Sequence, residues 1–169
     1  MQHELETTRT YLRQLTMEDA QDFYHLNLDP EVVKYTGDKP FGSEEEAREF
    51  LSNYDQYKKY GVGRYAVIVK HTKQFIGWCG LKYSDELDQY DIGFKFYKEY
   101  WNQGFATETA RKCIEFGFNK VGLSEIVGRA MKENKASTRV FEKIGMTFCK
   151  NFDFDGKVGV IYCVTKESL

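Results

Sequence analysis

The sequence has no CxxC pair: Cys79, Cys113, Cys149 and Cys163 are widely scattered, and His3, His25 and His71 stand apart from them and from one another. Metal sites need ligands grouped at short spacings, so this scatter argues against a metal centre and against a disulfide framework. The four cysteines are expected to be reduced core residues of a cytoplasmic protein. A basic excess is missing too. Twenty-four Lys and Arg stand against 26 Asp and Glu, a net charge of -2, which is not the electrostatic footprint of a nucleic-acid or membrane-surface binder. No apolar run is long enough to cross a bilayer and no signal peptide is evident, so a soluble, intracellular protein is expected. Repeats, low-complexity tracts and linkers are also absent. The 169 residues are therefore expected to form a single domain, 1–169, with a sizeable core. Aromatic residues, by contrast, are plentiful at 16%, more than a small core usually needs, which hints that some rings line a groove.

Hydrophobic periodicity gives the order of elements. "TRTYLRQLT" alternates as a first strand, and Thr16 with Asp19 resembles a capping box opening a helix to about Asn27. Asp29 and Pro30 start a second helix, and Ser43 with Glu46 a third that is expected to run toward Tyr60 with Ala47, Phe50, Leu51 and Tyr54 on one stripe. "RYAVIVK", "QFIGWCGLKY" and "YDIGFKFY" form a meander, followed by a helix from Phe105 to Phe118, the strand "SEIVGRA", and a helix from Asn134 to Gly145. "MTFCKNFDF" and "VGVIYCVTK" flank Asp155-Gly156, a strong hairpin signal. This string predicts an α/β (α+β) domain around a mixed, mostly antiparallel sheet, with its parallel crossover carried by the helix after Gly104.

That helix opens without a capping serine or aspartate, on "WNQGFAT". A strand, a glycine turn and a helix together aim unpaired backbone N–H groups and the positive end of the helix dipole at one point, which attracts phosphate. A glycine in a tight turn also has a purely structural explanation. On the later helix, Ala136, Val140 and Ile144 recur as a core stripe, while Asn134, Ser137 and Phe141 share a neighbouring one. An amide, a hydroxyl and an aromatic suit a long ligand with amide groups and an apolar part, or an ordinary half-exposed surface.

"WNQGFAT" followed by "ENKASTRVFEKIGM" resembles the phosphate-loop and late-helix motifs of the GNAT superfamily of acetyl-CoA-dependent N-acetyltransferases. With "TRTYLRQLTMEDA", "DPEVVKY", "FIGWCGL" and "YDIGFKFYKEYW", the pattern is similar to the branch of ribosomal-protein N-terminal acetyltransferases and covers Glu6 to Lys166. The resemblance implies splayed central strands with acetyl-CoA in the gap. It implies that backbone groups of Gln103, Gly104, Phe105, Ala106 and Thr107 hold the pyrophosphate, that Asn134 bonds the pantetheine arm, and that Phe94, Lys95 and Phe96 present backbone to the thioester. Ser137 and Phe141 would complete the cofactor wall. Trp101 departs from the Gln or Arg that usually opens the loop.

The reaction implied is direct attack of a neutral amine on the thioester, with no metal and no acyl-enzyme. Asp91 matches the strand position where relatives carry a glutamate base; as a plain surface residue it would pair with Lys95. Phe141 stands where several relatives carry a tyrosine acid, which leaves Ser137 as the nearest hydroxyl. Neutralising a chain-terminal amine at pH 7 costs about 1 kcal/mol, against about 4 to 5 kcal/mol for a lysine-like amine, which favours a protein N-terminus as acceptor. Polyamines, aminoglycosides, amino acids and a non-catalytic CoA sensor remain open, as do monomer and homodimer. Tyr35, Trp78 and Tyr83 are candidate acceptor-side rings, although all three can equally be core residues, and for Trp78 the core is the favoured reading.

Overall fold

The computed structural model describes residues 4–169. Within them the alternating segments become eight strands of one sheet: β1 (Leu5–Glu6), β2 (Thr10–Gln14), β3 (Arg64–Val69), β4 (Phe75–Ser84), β5 (Gln89–Phe96), β6 (Glu125–Met131), β7 (Thr147–Phe154) and β8 (Lys157–Thr165), ordered β1-β2-β3-β4-β5-β6-β8-β7. All neighbours pair antiparallel except β5 and β6. Parallel strands cannot be joined by a hairpin, and the chain between these two runs through the helix Phe105–Phe116, as expected.

The other helices are α1 (Ala20–Leu26), α2 (Pro30–Val33), α3 (Glu44–Ser52) and α4 (Gln56–Tyr60) before that crossover helix, α5, and α6 (Lys135–Lys143) after it. Thr16 and Asp19 form the anticipated capping box, though the first turn, Met17–Asp19, is 3-10. Ser43 caps α3 by accepting from Glu46 N, but the Glu46 carboxylate accepts from Gly42 N rather than from Ser43. The helix expected to continue to Tyr60 stops at Ser52 and restarts as α4. Tyr54, in the break, accepts a hydrogen bond from Arg64 N through its hydroxyl.

Each sheet face is covered. Tyr65, Val67, Cys79, Leu81, Ile92, Ile114, Ile126 and Phe141 belong to the core on the α5 and α6 side, while Leu15, Ala20, Ala47, Leu51, Ala66 and Ile68 make a smaller core with α1 and α3. Cys79 and Cys113 are buried free thiols in the first of these. Cys149 and Cys163 depart from the expectation of reduced core cysteines: they are joined as a disulfide, Cα atoms 6.1 Å apart. The β7–β8 register shifts between Phe148 and Lys150, and this irregularity brings Cys149 beside Cys163. No helix among the described residues is long and apolar enough to cross a membrane.

Candidate active site

Strand β5 meets β6 at Asp91 and Val127, the one register pair between them among the described residues. Beyond it the strands splay. Phe94, Lys95 and Phe96 then line a cavity of about 510 Å³ whose opposite wall is α6 and whose end is the loop before α5.

That loop is held by its own side chains. Trp101 Nε1 donates to Phe96 O at 2.9 Å, and Gln103 Nε2 donates to Glu99 O at 2.8 Å. The departure at Trp101 thus has a structural use: the indole ties the loop to the end of β5. Gly104 has φ of 84°, a left-handed conformation that a side chain would strain, and it is the N-cap of α5 with no side-chain cap. The first N–H groups of α5 therefore have neither an intrahelical acceptor nor a capping side chain. Gly104, Phe105, Ala106 and Thr107 all line the cavity; Gln103 is exposed and outside its wall.

The first turn of α5 is anchored from the turn between β1 and β2, by a cluster the sequence does not announce. Thr7 Oγ1 donates to Glu108 Oε2 at 2.6 Å, Arg9 N donates to the same oxygen at 3.1 Å, and Arg9 Nε pairs with Glu108 Oε1 at 3.0 Å. Burial pushes the Glu108 carboxyl up, but these donors outweigh it and hold the group below its usual range. The Arg9 guanidinium lies 4.0 Å from the centre of the Phe105 ring.

Helix α6 is rotated from its expected setting. Thr138, Phe141 and Ile144 are buried; Val140 packs partly against the core and also lines the cavity, whereas Ala136, assigned to the core by spacing, is exposed at the cavity with Asn134, Ser137, Arg139 and Lys143. Phe141 is 2% exposed and is absent from the cavity wall; its ring packs 6.0 Å from Phe94 and 5.5 Å from Tyr162, and a Cβ on Gly128 would come within 2.7 Å of it. The largest side chain takes the core position. Asn134 also caps its own helix, Oδ1 accepting from Ser137 N at 3.2 Å.

Asp91 does not pair with Lys95. Four residues along a strand separate side chains by ~13 Å, and the two make different partners. The Asp91 carboxylate accepts from Arg64 at 2.7 Å and from Arg129 at 3.5 Å. Lys95 Nζ, with a side chain only 5% exposed, donates to Asn27 Oδ1 at 2.8 Å and to Asp38. Burial pushes its pKa down, and Asp38 pulls it partly back. Arg64 lies across Gly93, where any Cβ would meet the guanidinium at 2.7 Å. The Trp78 ring is half-buried under both cations, 5.3 Å from Arg64 Cζ and 5.8 Å from Lys95 Nζ. Tyr35 does line the cavity, with Glu31, Val32 and Thr36; Tyr83 instead donates to Asp88. No cluster of His, Cys, Asp and Glu suited to a metal occurs among the described residues, and His3 lies outside them.

A splayed parallel pair with a capless, glycine-led helix at its open end defines an acyltransferase of the GNAT type, and the chain belongs to that family: residues 9–147 match the model of the acetyltransferase (GNAT) domain. It is 32% identical over 142 residues to an uncharacterized N-acetyltransferase, p20, of Bacillus licheniformis, covering 83% of this chain and 80% of that one. A GNAT-family acetyltransferase structure from Bacillus anthracis is similar with a TM-score of 0.83 and 26% identity, over 96% of this chain and 98% of that one. A ribosomal L7/L12 α-N-protein acetyltransferase solved with coenzyme A superposes with a TM-score of 0.82 over 96% of this chain and 97% of that one; at 15% identity this likeness is one of fold. The chain is accordingly an N-acetyltransferase.

Proposed function

We propose that this protein transfers the acetyl group of acetyl-CoA to a primary amine, with a protein N-terminal α-amine as the preferred acceptor, by direct attack on the thioester. The observation that carries the reading is the shared cavity: the uncapped N–H groups after Gly104, the open edge at Phe94–Phe96 and the Asn134–Ser137 face of α6 all meet there. The uncapped groups suit a pyrophosphate, the free amide nitrogen of Asn134 suits a pantetheine carbonyl, and Ser137 supplies the hydroxyl on that wall. Phe141, buried, contributes packing rather than ligand contact. Acetyl-CoA-dependent thiol release with an N-terminal peptide tests the reading; tight CoA binding with no release in the presence of any amine would replace it by a CoA sensor.

Asn134 has two tasks, and two substitutions separate them. Asn134→Ala should cost about 1 kcal/mol of stability through the lost cap and raise the acetyl-CoA KM. Asn134→Ser keeps a capping oxygen, so it should melt near wild type while still showing the raised KM. An unchanged KM in the serine variant would leave the amide as a cap alone.

Held by two arginines, Asp91 anchors them and leaves the amine proton to water or a backbone carbonyl. Asp91→Asn should therefore lower the maximal rate less than about tenfold, by the same factor at pH 7 and pH 9. A loss of about 10² to 10⁴ at neutral pH that shrinks at high pH would make the carboxylate the general base.

A further inference from the structure

On the sheet face turned toward α1 and α3, side chains alternate so that Asp91, Gly93 and Lys95 of β5 share a side with Trp78 of β4 and Arg64 of β3. Arg129 joins them from β6, two residues past Val127 and so level with Gly93, one residue short of Phe94. The carboxylates beside Arg64, Lys95 and Lys98 are already engaged. Asp91 serves Arg64 and Arg129, Asp38 serves Lys95, and Glu31 serves Lys98. Arg13 of β2, level with Trp78 on the same face, is likewise paired, with Asp19. Asp85 and Asp88, in the β4–β5 turn, accept from Tyr60 and Tyr83, and they stand ~16 Å or more along the strand from Gly93.

The arginines are not equally committed. Arg64 donates to Gly80 O, Asp91 O and Asp91 Oδ1 at 2.6, 3.2 and 2.7 Å. Arg129 reaches Asp91 Oδ2 only at 3.5 Å, bonds Gln89 Oε1 with its other terminal nitrogen, and has a side chain 19% exposed. Its planar fork suits a second, bidentate carboxylate.

We propose that the acceptor amine carries a carboxylate and that Arg129 is the specificity residue that binds it. The proposal rests on the acetyl-transfer reading but not on its preference for a protein N-terminus. A free amino acid and a peptide with an acidic first residue are two sources of the same chemistry, so matched pairs separate them: alanine against alaninamide, and a short peptide beginning with Asp against one beginning with Asn, with spermidine as a polycation. In wild type the carboxylate member of at least one pair should be preferred tenfold or more in kcat/KM, with spermidine worse. In Arg129→Gln that ratio should fall toward one, and Arg129→Lys, which keeps charge without the fork, should retain part of it; melting curves of both variants check the fold. A wild-type ratio near or below one in both pairs, better use of spermidine, or a ratio unchanged in Arg129→Gln would overturn the proposal. Calorimetry of the same compounds on the CoA-loaded protein reads the carboxylate site without turnover. If nothing releases thiol, acetyl transfer fails as a reading, while a carboxylate ligand that binds wild type and is weakened tenfold or more in Arg129→Gln still supports the site; equal affinity or no binding removes it.

Discussion

Gly104→Glu is expected to weaken CoA binding by well over tenfold, equivalent to more than ~1.4 kcal/mol, in a protein that still folds. Two effects combine. The residue sits at φ of 84°, so any side chain adds strain on the order of 1 kcal/mol, and a carboxylate there adds negative charge beside the uncapped helix end and competes for Arg9, whose Nη2 would lie 3.3 Å from the new Cβ. Gly104→Ala carries the strain without the charge and should lose far less affinity. Calorimetric titration with CoA, beside melting curves, distinguishes them. Unchanged affinity in folded Gly104→Glu would take the loop out of the binding site.

Phe141→Ala should act on stability. Removing a ring that is 2% exposed and wedged between Phe94, Tyr162 and Gly128 costs about 3–5 kcal/mol, a fall in Tm of roughly 6–20 °C for a chain of this size. Phe141→Leu should lose less. At a temperature where both variants are folded, the acetyl-CoA KM should stay within a few-fold of wild type. A large KM change with a small change in Tm would return the ring to the ligand wall where its spacing from Asn134 suggests it belongs.

That ring shows where sequence reading stops. The stripes Ala136-Val140-Ile144 and Ser137-Phe141 are one residue, about 100°, apart on the helix, and both contain apolar side chains. Each stripe sends one large side chain inward, Ile144 from the first and Phe141 from the second, and the place of Phe141 is decided by the space above Gly128, a tertiary fact. Strand alternation, the caps of Thr16, Asp29, Ser43 and Asn134, the Asp155-Gly156 turn and the glycine junction were legible because each is fixed within a few residues. The partners of Asp91 were not: Arg64 and Arg129 lie 27 and 38 residues away, and strand geometry sets Lys95 out of reach. The Cys149–Cys163 bridge depends on a ladder irregularity that leaves no periodic mark. The anchoring of Glu108 by Thr7 and Arg9 spans about a hundred residues and carries no local signal at all.

The indole of Trp101 closes a short mechanical circuit. By donating to Phe96 O, it ties the end of β5 to the turn before α5 and so helps to set the spacing between the uncapped helix end and the open strand edge. A ligand gripped at both ends is then gauged against a fixed caliper. Lengthening or shortening its middle would leave one end out of register, and a change at Trp101, itself on the cavity wall, would alter that measure.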